Sequence, residues 1–314
     1  MNPLALIRAL RPHQWVKNGF VLAAVVFQLA EAKEALSLTD GVRGSLLAVV
    51  AFCLGASAIY LVNDVLDVEH DRKHPEKSKR PIAAGEVSIP VALIASVLCA
   101  AGAIVIALRA GDQAVAAGES TTSVVSCLAV YMGLNVAYSL RLKHVALLDV
   151  FCIATGFLLR VKAGGFAAGA EVSPWLLLCT FFLALFLALC KRRAECDLLG
   201  EAKAEHRKIL GSYEVGYLDQ MVTALAACTI LSYSLYTVIG PFSLYGVIEG
   251  DASARRVVEL FWTVPFVVFG LGRYMWLVHQ QQGGGSPTRV LLGGDPLFVL
   301  NTLGWMVTTG WLLF

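Results

Sequence analysis

The stretch AFCLGASAIYLVNDVLDVEHD (Ala51–Asp71) runs from uncharged apolar sequence straight into clustered carboxylates, in the pattern N-D-x-x-D-x-x-x-D. Read as a helix, it places Asp64, Asp67 and Asp71 at i, i+3 and i+7, inside a sector of about 60°, with Asn63 adjacent. Three carboxylates on one face repel unless a cation sits among them. Hard oxygen donors of this kind suit Mg²⁺, which binds phosphate-bearing substrates through a few carboxylates and retained waters. The next residues supply the complementary charge: Arg72, Lys73, Lys77, Lys79 and Arg80, before Pro81-Ile82-Ala83-Ala84-Gly85 turns the chain back. Carboxylates for a cation, followed by cations for phosphate oxygens, are what a diphosphate–metal site requires. A solvated acidic helix end is the plain alternative, and the basic run that follows argues against it.

The apolar half of the quoted stretch is typical of the chain. Apolar residues make up 57% of the 314 and charged residues only 15%, where a soluble domain has about a quarter charged. The charges are bunched between long apolar runs, and 87–108 and 174–190 carry none before Arg109 and Lys191. The expected class is therefore an all-α polytopic membrane protein. Nine spans are expected, near 18–34, 44–62, 88–108, 123–140, 145–163, 173–190, 218–239, 257–278 and 296–314. With the N-terminus in the cytoplasm, 17 lysines and arginines fall in cytoplasmic connections and 7 outside, so the positive-inside rule places the C-terminus outside. The longer polar connections, about 63–87 and 191–217, then face the cytoplasm. The first fifteen residues read as an interfacial amphipathic helix rather than a cleaved signal. A single integral-membrane domain over 1–314 is expected.

Other charges sit where charges are costly. Lys17 and Asn18 lie at the mouth of the first span, beside the interfacial anchor Trp15, and are candidate phosphate contacts. Tyr138 and Lys143 flank the end of the fourth span. Asp149 lies among Leu147, Leu148, Val150 and Phe151, and Arg160 is three turns further along the same helical face. Asp149 is either functional, an orienter of Lys143 or of a metal-bound water, or half of an internal pair that joins helices. Lys191-Arg192-Arg193 follows a charge-free span and serves as a topology signal, a phosphate site, or both. Glu69 and His70, between the motif positions, are expected in solvent, and Asp295 at a turn without a clear partner. Eight cysteines show no C-x-x-C pair, and six histidines show no ligand spacing, so packing roles and no zinc site are expected. No phosphate-binding glycine loop is present.

These blocks together resemble the UbiA-type prenyltransferase superfamily: the N-D-x-x-D-x-x-x-D after the second span, the Arg80-Pro81…Gly85 turn and nine helices. Within it, Leu10-Arg11-Pro12-His13-Gln14-Trp15-Val16-Lys17-Asn18, Asn135-Val136-Ala137-Tyr138-Ser139, Leu142-Lys143, Leu148-Asp149, Gly156-Phe157-Leu158-Leu159-Arg160, Ala163-Gly164-Gly165 and Lys191-Arg192-Arg193-Ala194-Glu195 are similar to the phosphoribosyltransferase subgroup that acts on decaprenyl phosphate. The resemblance covers nearly the whole chain. It implies a UbiA-like bundle in a bacterial inner membrane with a cytoplasmic active site. Asn63, Asp64, Asp67 and Asp71 would hold Mg²⁺. Lys17, Asn18, Arg80, Tyr138, Lys143, Asp149, Arg160, Lys191 and Arg192 would bind substrates. The donor would be phosphoribosyl pyrophosphate and the acceptor a polyprenyl phosphate lipid. A homo-oligomer is possible under this resemblance, and no nucleic-acid partner is expected. The second aspartate-rich motif of the aromatic prenyltransferases is replaced here by Lys191-Arg192-Arg193 with scattered acids, which suits a donor and an acceptor richer in phosphate. Prenyl transfer to an aromatic acceptor is the runner-up. A transporter would call for an internal repeat, and none is found.

Overall fold

The structure, a computed structural model, describes residues 3–26, 35–73, 77–112, 122–199, 211–239, 260–280, 290 and 294–313. Among these residues every regular element is helical. In chain order they are α1 (Pro3–Leu10), a 3₁₀ helix (Pro12–Leu22), α2 (Ala35–Leu66), α3 (Val68–Lys73), a 3₁₀ turn (Lys77–Lys79), α4 (Ile89–Ala110), α5 (Thr122–Leu140), a 3₁₀ turn (Leu142–His144), α6 (Leu148–Ala168), α7 (Pro174–Leu199), α8 (Val215–Ile239), a 3₁₀ turn (Leu260–Thr263), α9 (Val264–His279) and α10 (Pro296–Leu313). Eight helical segments are long and apolar enough to cross a bilayer. The first expected span begins on the 3₁₀ helix and, from residue 27 onward, lies outside the described residues.

Contacts divide the chain into two compact units: 1–140 with 159–171, and 141–158 with 172–314. α6 is one unbroken helix that contributes its first half to the second unit and its remainder to the first.

In the first unit α2 packs along α4. Ser96 Oγ donates to the carbonyl of Ala58 in their interface, the kind of side-chain-to-backbone bond that joins membrane helices. One core layer is built largely from small residues, Ala48, Ala51, Ala56, Ala103, Ala107 and Ala163 around Phe52 and Leu128, and such residues allow close helix approach. Gly164 shows why: a Cβ there would fall 1.8 Å from the carbonyl oxygen of Val21. α6 can lie against the 3₁₀ helix only because that position has no side chain. A second cluster, Ala5, Ala9, Leu61, Val68, Ile82, Val87 and Ala92, sits under the end of α2 and anchors the turn that follows the acidic motif.

The second unit is organised by α7 against α8, with α9 and α10 alongside. Its core holds Phe186, Leu189, Leu218, Val222, Tyr274 and Leu277. α7 starts where Ser173 Oγ accepts the backbone N–H of Trp175, an N-cap ahead of Pro174. α10 starts in the same way, with Asp295 Oδ1 accepting the N–H of Phe298. Leu98 on α4 and Val307 and Trp311 on α10 are broadly exposed, Trp311 at 80%. Apolar faces of this extent belong against lipid, and the chain is a multi-pass membrane protein.

Three expectations are corrected. The acidic run is not one helix, because α2 ends at Leu66 and Asp67 occupies a turn before α3. The Lys191–Glu195 block does not begin a loop but occupies the last turns of α7. Asp295 has a partner: Arg273 donates to it through Nε at 3.2 Å and Nη2 at 2.8 Å. This is the two-pronged geometry that a planar guanidinium prefers.

Candidate active site

The turn at Asp67 does not scatter the acidic motif. Asp67 N–H still donates to Asn63 O at 2.9 Å, and Asp71 N–H to Asp67 O at 2.8 Å, so helical hydrogen bonding carries through the break. Asp64 and Asp71 are buried, Asn63 and Asp67 half-buried, and Glu69 and His70 face solvent as expected.

Arg80 binds the two buried carboxylates together. Its Nη1 donates to Asp64 Oδ1 at 3.1 Å and to Asp71 Oδ2 at 2.6 Å. The following turn aims it there: Ala84 N–H bonds Arg80 O, Val87 N–H bonds Pro81 O, and Gly85 takes φ +78°, a conformation that favours glycine. Arg72 Nε adds a long bond to Ala83 O at 3.4 Å. The R-P-x-x-x-G sequence is therefore a device for presenting one guanidinium to the acidic motif.

Arg11 was overlooked as a site residue. Its Nη2 donates to Asp64 Oδ1 at 2.5 Å while its guanidinium stacks over Tyr60, 5.0 Å from the ring centroid. It takes φ 56° at the junction between α1 and the 3₁₀ helix. In the sequence it lies inside the first fifteen residues, which read as one interfacial helix.

Asp64 Oδ1 is thus shared by two arginines, whereas Asp64 Oδ2 is buried without a hydrogen-bond donor. Such an orphan oxygen in a native fold requires an explanation. No three His, Cys, Asp or Glu side chains converge on one point among the described residues. A buried, uncommitted hard oxygen with Asp71 and Asp67 along the same helical line fits a divalent cation.

Further into the first unit, Asn18 and Arg160, separate candidates in sequence, are joined. Arg160 Nε donates to Asn18 Oδ1 at 2.8 Å and Nη2 to Tyr131 OH at 2.9 Å, with the cation 4.5 Å from the Tyr131 ring centroid. Asn18 Nδ2 donates to Cys53 Sγ. The 3₁₀ helix is pinned nearby by Trp15 Nε1 to Ser57 Oγ, and Ser57 Oγ to Leu10 O. Lys17 and Tyr138 are half-buried on the same unit.

The second unit holds a different arrangement. Asp149 is fully buried and its partner is not Arg160 on the same helix. Arg192 Nε lies 3.5 Å from Asp149 Oδ2, and Arg192 Nη1 donates to Glu195 Oε2 at 2.5 Å. Tyr213, which no sequence signal marked, donates to Asp149 Oδ1 at 2.8 Å and accepts the N–H of Leu147 at 2.8 Å. Arg192 is 2% exposed, while Lys191, next to it, is half-exposed and 3.9 Å from Glu195. Arg193 turns to Asp219 at 2.6 Å and to Asp197. Lys143 sits in the 3₁₀ turn Leu142–His144, half-buried.

Set beside known proteins, residues 20–292 match the model of the UbiA prenyltransferase family. The chain is 42% identical over 301 residues to the decaprenyl-phosphate phosphoribosyltransferase of Corynebacterium glutamicum, covering 96% of this chain and 84% of that one. It is 36% identical over 307 residues to the protein of that name from Mycolicibacterium smegmatis, covering 97% and 91%. Among solved structures it resembles a UbiA homolog from Archaeoglobus fulgidus bound to DMAPP and Mg²⁺, with a TM-score of 0.65 at 18% identity over 97% of this chain and 99% of that one.

Proposed function

The chain belongs to the UbiA prenyltransferase family, and from that premise we propose that it transfers 5-phosphoribose from phosphoribosyl pyrophosphate to decaprenyl phosphate, releasing pyrophosphate. The protein is a transferase, a pentosyltransferase by this reading. The observation that carries it is the near full-length identity to enzymes of that name.

The chemistry suits the side chains. As the C1–O bond to pyrophosphate breaks, positive charge develops on the ribose ring, as in glycoside cleavage. An anionic oxygen of the lipid phosphate attacks C1. That oxygen is ionised at neutral pH, so no general base is needed, and catalysis rests on positioning and electrostatics. Asp64, Asp67 and Asp71, with Asn63, are the residues to hold Mg²⁺, which neutralises charge on the leaving pyrophosphate. Arg80 and Arg11, both partly open to solvent, are placed to follow phosphate oxygens while remaining against Asp64. Lys17, Asn18, Tyr138 and Lys143 are proposed for donor phosphates and ribose, and Lys191 for the lipid phosphate or the ribose 5-phosphate. Arg160 acts by holding Asn18, and Asp149 and Arg192 by holding one another.

The finer topology is part of the same proposal: nine spans, the N-terminus in the cytoplasm and the C-terminus outside, in a bacterial inner membrane with the site facing the cytoplasm. The product enters lipid-linked pentose supply for a cell-wall glycan such as arabinan.

The test uses purified protein in detergent with Mg²⁺, decaprenyl phosphate and phosphoribosyl pyrophosphate radiolabelled at the ribose 5-phosphate. Label in the organic phase that disappears with EDTA is the expected result. No transfer by folded protein, with transfer from a prenyl diphosphate to an aromatic acceptor instead, establishes the runner-up.

A further inference from the structure

Leu147 ends the connection between α5 and α6 at φ 66°, in the left-handed region that glycine enters freely and leucine avoids. A backbone held this way persists only where its surroundings over-determine it, and such residues cluster at functional sites. Here the Leu147 carbonyl accepts the N–H groups of Val150 and Phe151 in the first turn of α6, and its own N–H is held by one phenol. Tyr213, two residues before α8 and buried, accepts the Leu147 N–H and donates to Asp149, two residues further along the chain. The hydroxyl cannot swing away easily, because its acceptor is itself fixed by Arg192, which Glu195 holds in turn. Burial pushes the Tyr213 hydroxyl far above the ordinary phenol range, so it stays neutral and keeps both bonds across the working pH.

What the phenol fixes is a short piece of backbone. His144 N–H bonds Arg141 O, Val145 N–H bonds Leu142 O, and Asp149 N–H bonds Val145 O. The 3₁₀ turn that carries Lys143 is thereby strung between α6 and the tethered amide. We infer that Tyr213 is a positioning residue: its hydroxyl locks Leu147 in the left-handed conformation and so sets where Lys143 presents its ammonium to a diphosphate.

The inference rests on the reading of Lys143 as a donor-phosphate contact. The probe is inorganic pyrophosphate with Mg²⁺, titrated calorimetrically into the full-length protein in detergent, alongside steady-state kinetics with phosphoribosyl pyrophosphate. Tyr213→Phe keeps the ring in the core and removes only the hydroxyl. The dissociation constant for pyrophosphate and the KM for the donor should both rise about five- to tenfold, with kcat within about twofold. Adding Leu147→Gly should return both to within about twofold of the wild type, since glycine holds the turn unaided. In a Lys143→Ala background Tyr213→Phe should have no further effect on pyrophosphate binding.

Unchanged affinity in Tyr213→Phe overturns the inference. So does a loss that Leu147→Gly leaves in place, or a fall in kcat at constant KM. Should Tyr213→Phe not fold, Leu147→Ile tests the tether from the other end. A β-branched residue resists positive φ, and unchanged pyrophosphate affinity in that variant overturns the inference as well. A wild type that binds pyrophosphate but transfers no phosphoribose refutes only the proposed reaction, because the pyrophosphate titrations still decide the role of Tyr213.

Discussion

Asp64 and Asp149 are both carboxylates at the ends of apolar helices, and they are nearly equally inaccessible, at 2% and 0% exposure. Their partners differ. Asp64 meets Arg11 and Arg80, whose side chains are 22% and 29% exposed. Asp149 meets Arg192, itself 2% exposed, and a buried tyrosine. A buried carboxylate whose cations reach water can exchange them for a ligand's charge. One whose cation is sealed in can only hold structure. Burial of the acid does not separate the two cases, and exposure of the base does.

The widest gap between the two should appear on neutralising the acid of the first pair. Asp64→Asn should lower transfer on the order of 1,000-fold while the melting midpoint in detergent stays close to the wild type, because Arg11 can turn to solvent and Arg80 keeps its bond to Asp71. A collapse of the midpoint would erase the contrast. Asp67→Asn is expected to behave alike, and more than a few per cent residual turnover counts against its metal role.

In the second region the order reverses. Arg192→Ala removes the buried cation 3.5 Å from the buried Asp149, at a cost of about 3–5 kcal/mol, to be read from denaturant or thermal unfolding. Wild-type stability would place Arg192 with the exchangeable cations after all. Lys191→Ala sharpens the point one residue away. Its pairing with Glu195 is loose and half-exposed, so stability should change by less than about 0.5 kcal/mol, while the KM for lipid phosphate rises several-fold. A constant KM would reduce Lys191 to a topology signal.

The smallest effect belongs to Asp295. Its hydrogen bonds from Arg273 hold its carboxyl below the ordinary range. The group's folded pKa is depressed, so its stabilisation is full above the unfolded carboxylate value of about 3.9 and is lost as pH falls through the folded value. The midpoint difference between wild type and Asp295→Asn should be flat at neutral pH and close only in acid. A difference that instead varies between pH 6 and 8 would point to another group.

The sequence displayed the acidic motif, the charge asymmetry and the helical membrane class because each is local: a spacing, a count, a run. It also displayed the basic run after the motif, though not that Arg80 would be the one among the described residues to bridge Asp64 and Asp71. What it hid were partners chosen by tertiary packing. Helical periodicity put Arg160 on the face of Asp149, yet Asp149 pairs with Arg192 and Tyr213, 43 and 64 positions away. Arg11 was hidden because it reaches Asp64 across 53 positions from a left-handed backbone that nothing in Leu10-Arg11-Pro12 announces. Asp295 looked solitary because its arginine lies within an apolar helix and its capping role depends on where α10 begins.

One feature of the architecture bears on how the chain is made. α6 gives its first half to one unit and its second half to the other. A nascent chain emerging at about 5–20 residues per second cannot close the first unit when α5 has emerged. Gly164 and Arg160 arrive only after Leu148–Leu158, which belong to the second unit, are already out of the ribosome. Asn18 and Tyr131, which Arg160 bonds, both precede it, while Asp149 is translated well ahead of both Arg192 and Tyr213. Synthesis order completes the first unit at about residue 171, with Arg192 following 21 residues later and Tyr213 42 residues later. The buried acid of the second unit therefore meets Arg192 and Tyr213 only after the sequence of the first unit is complete.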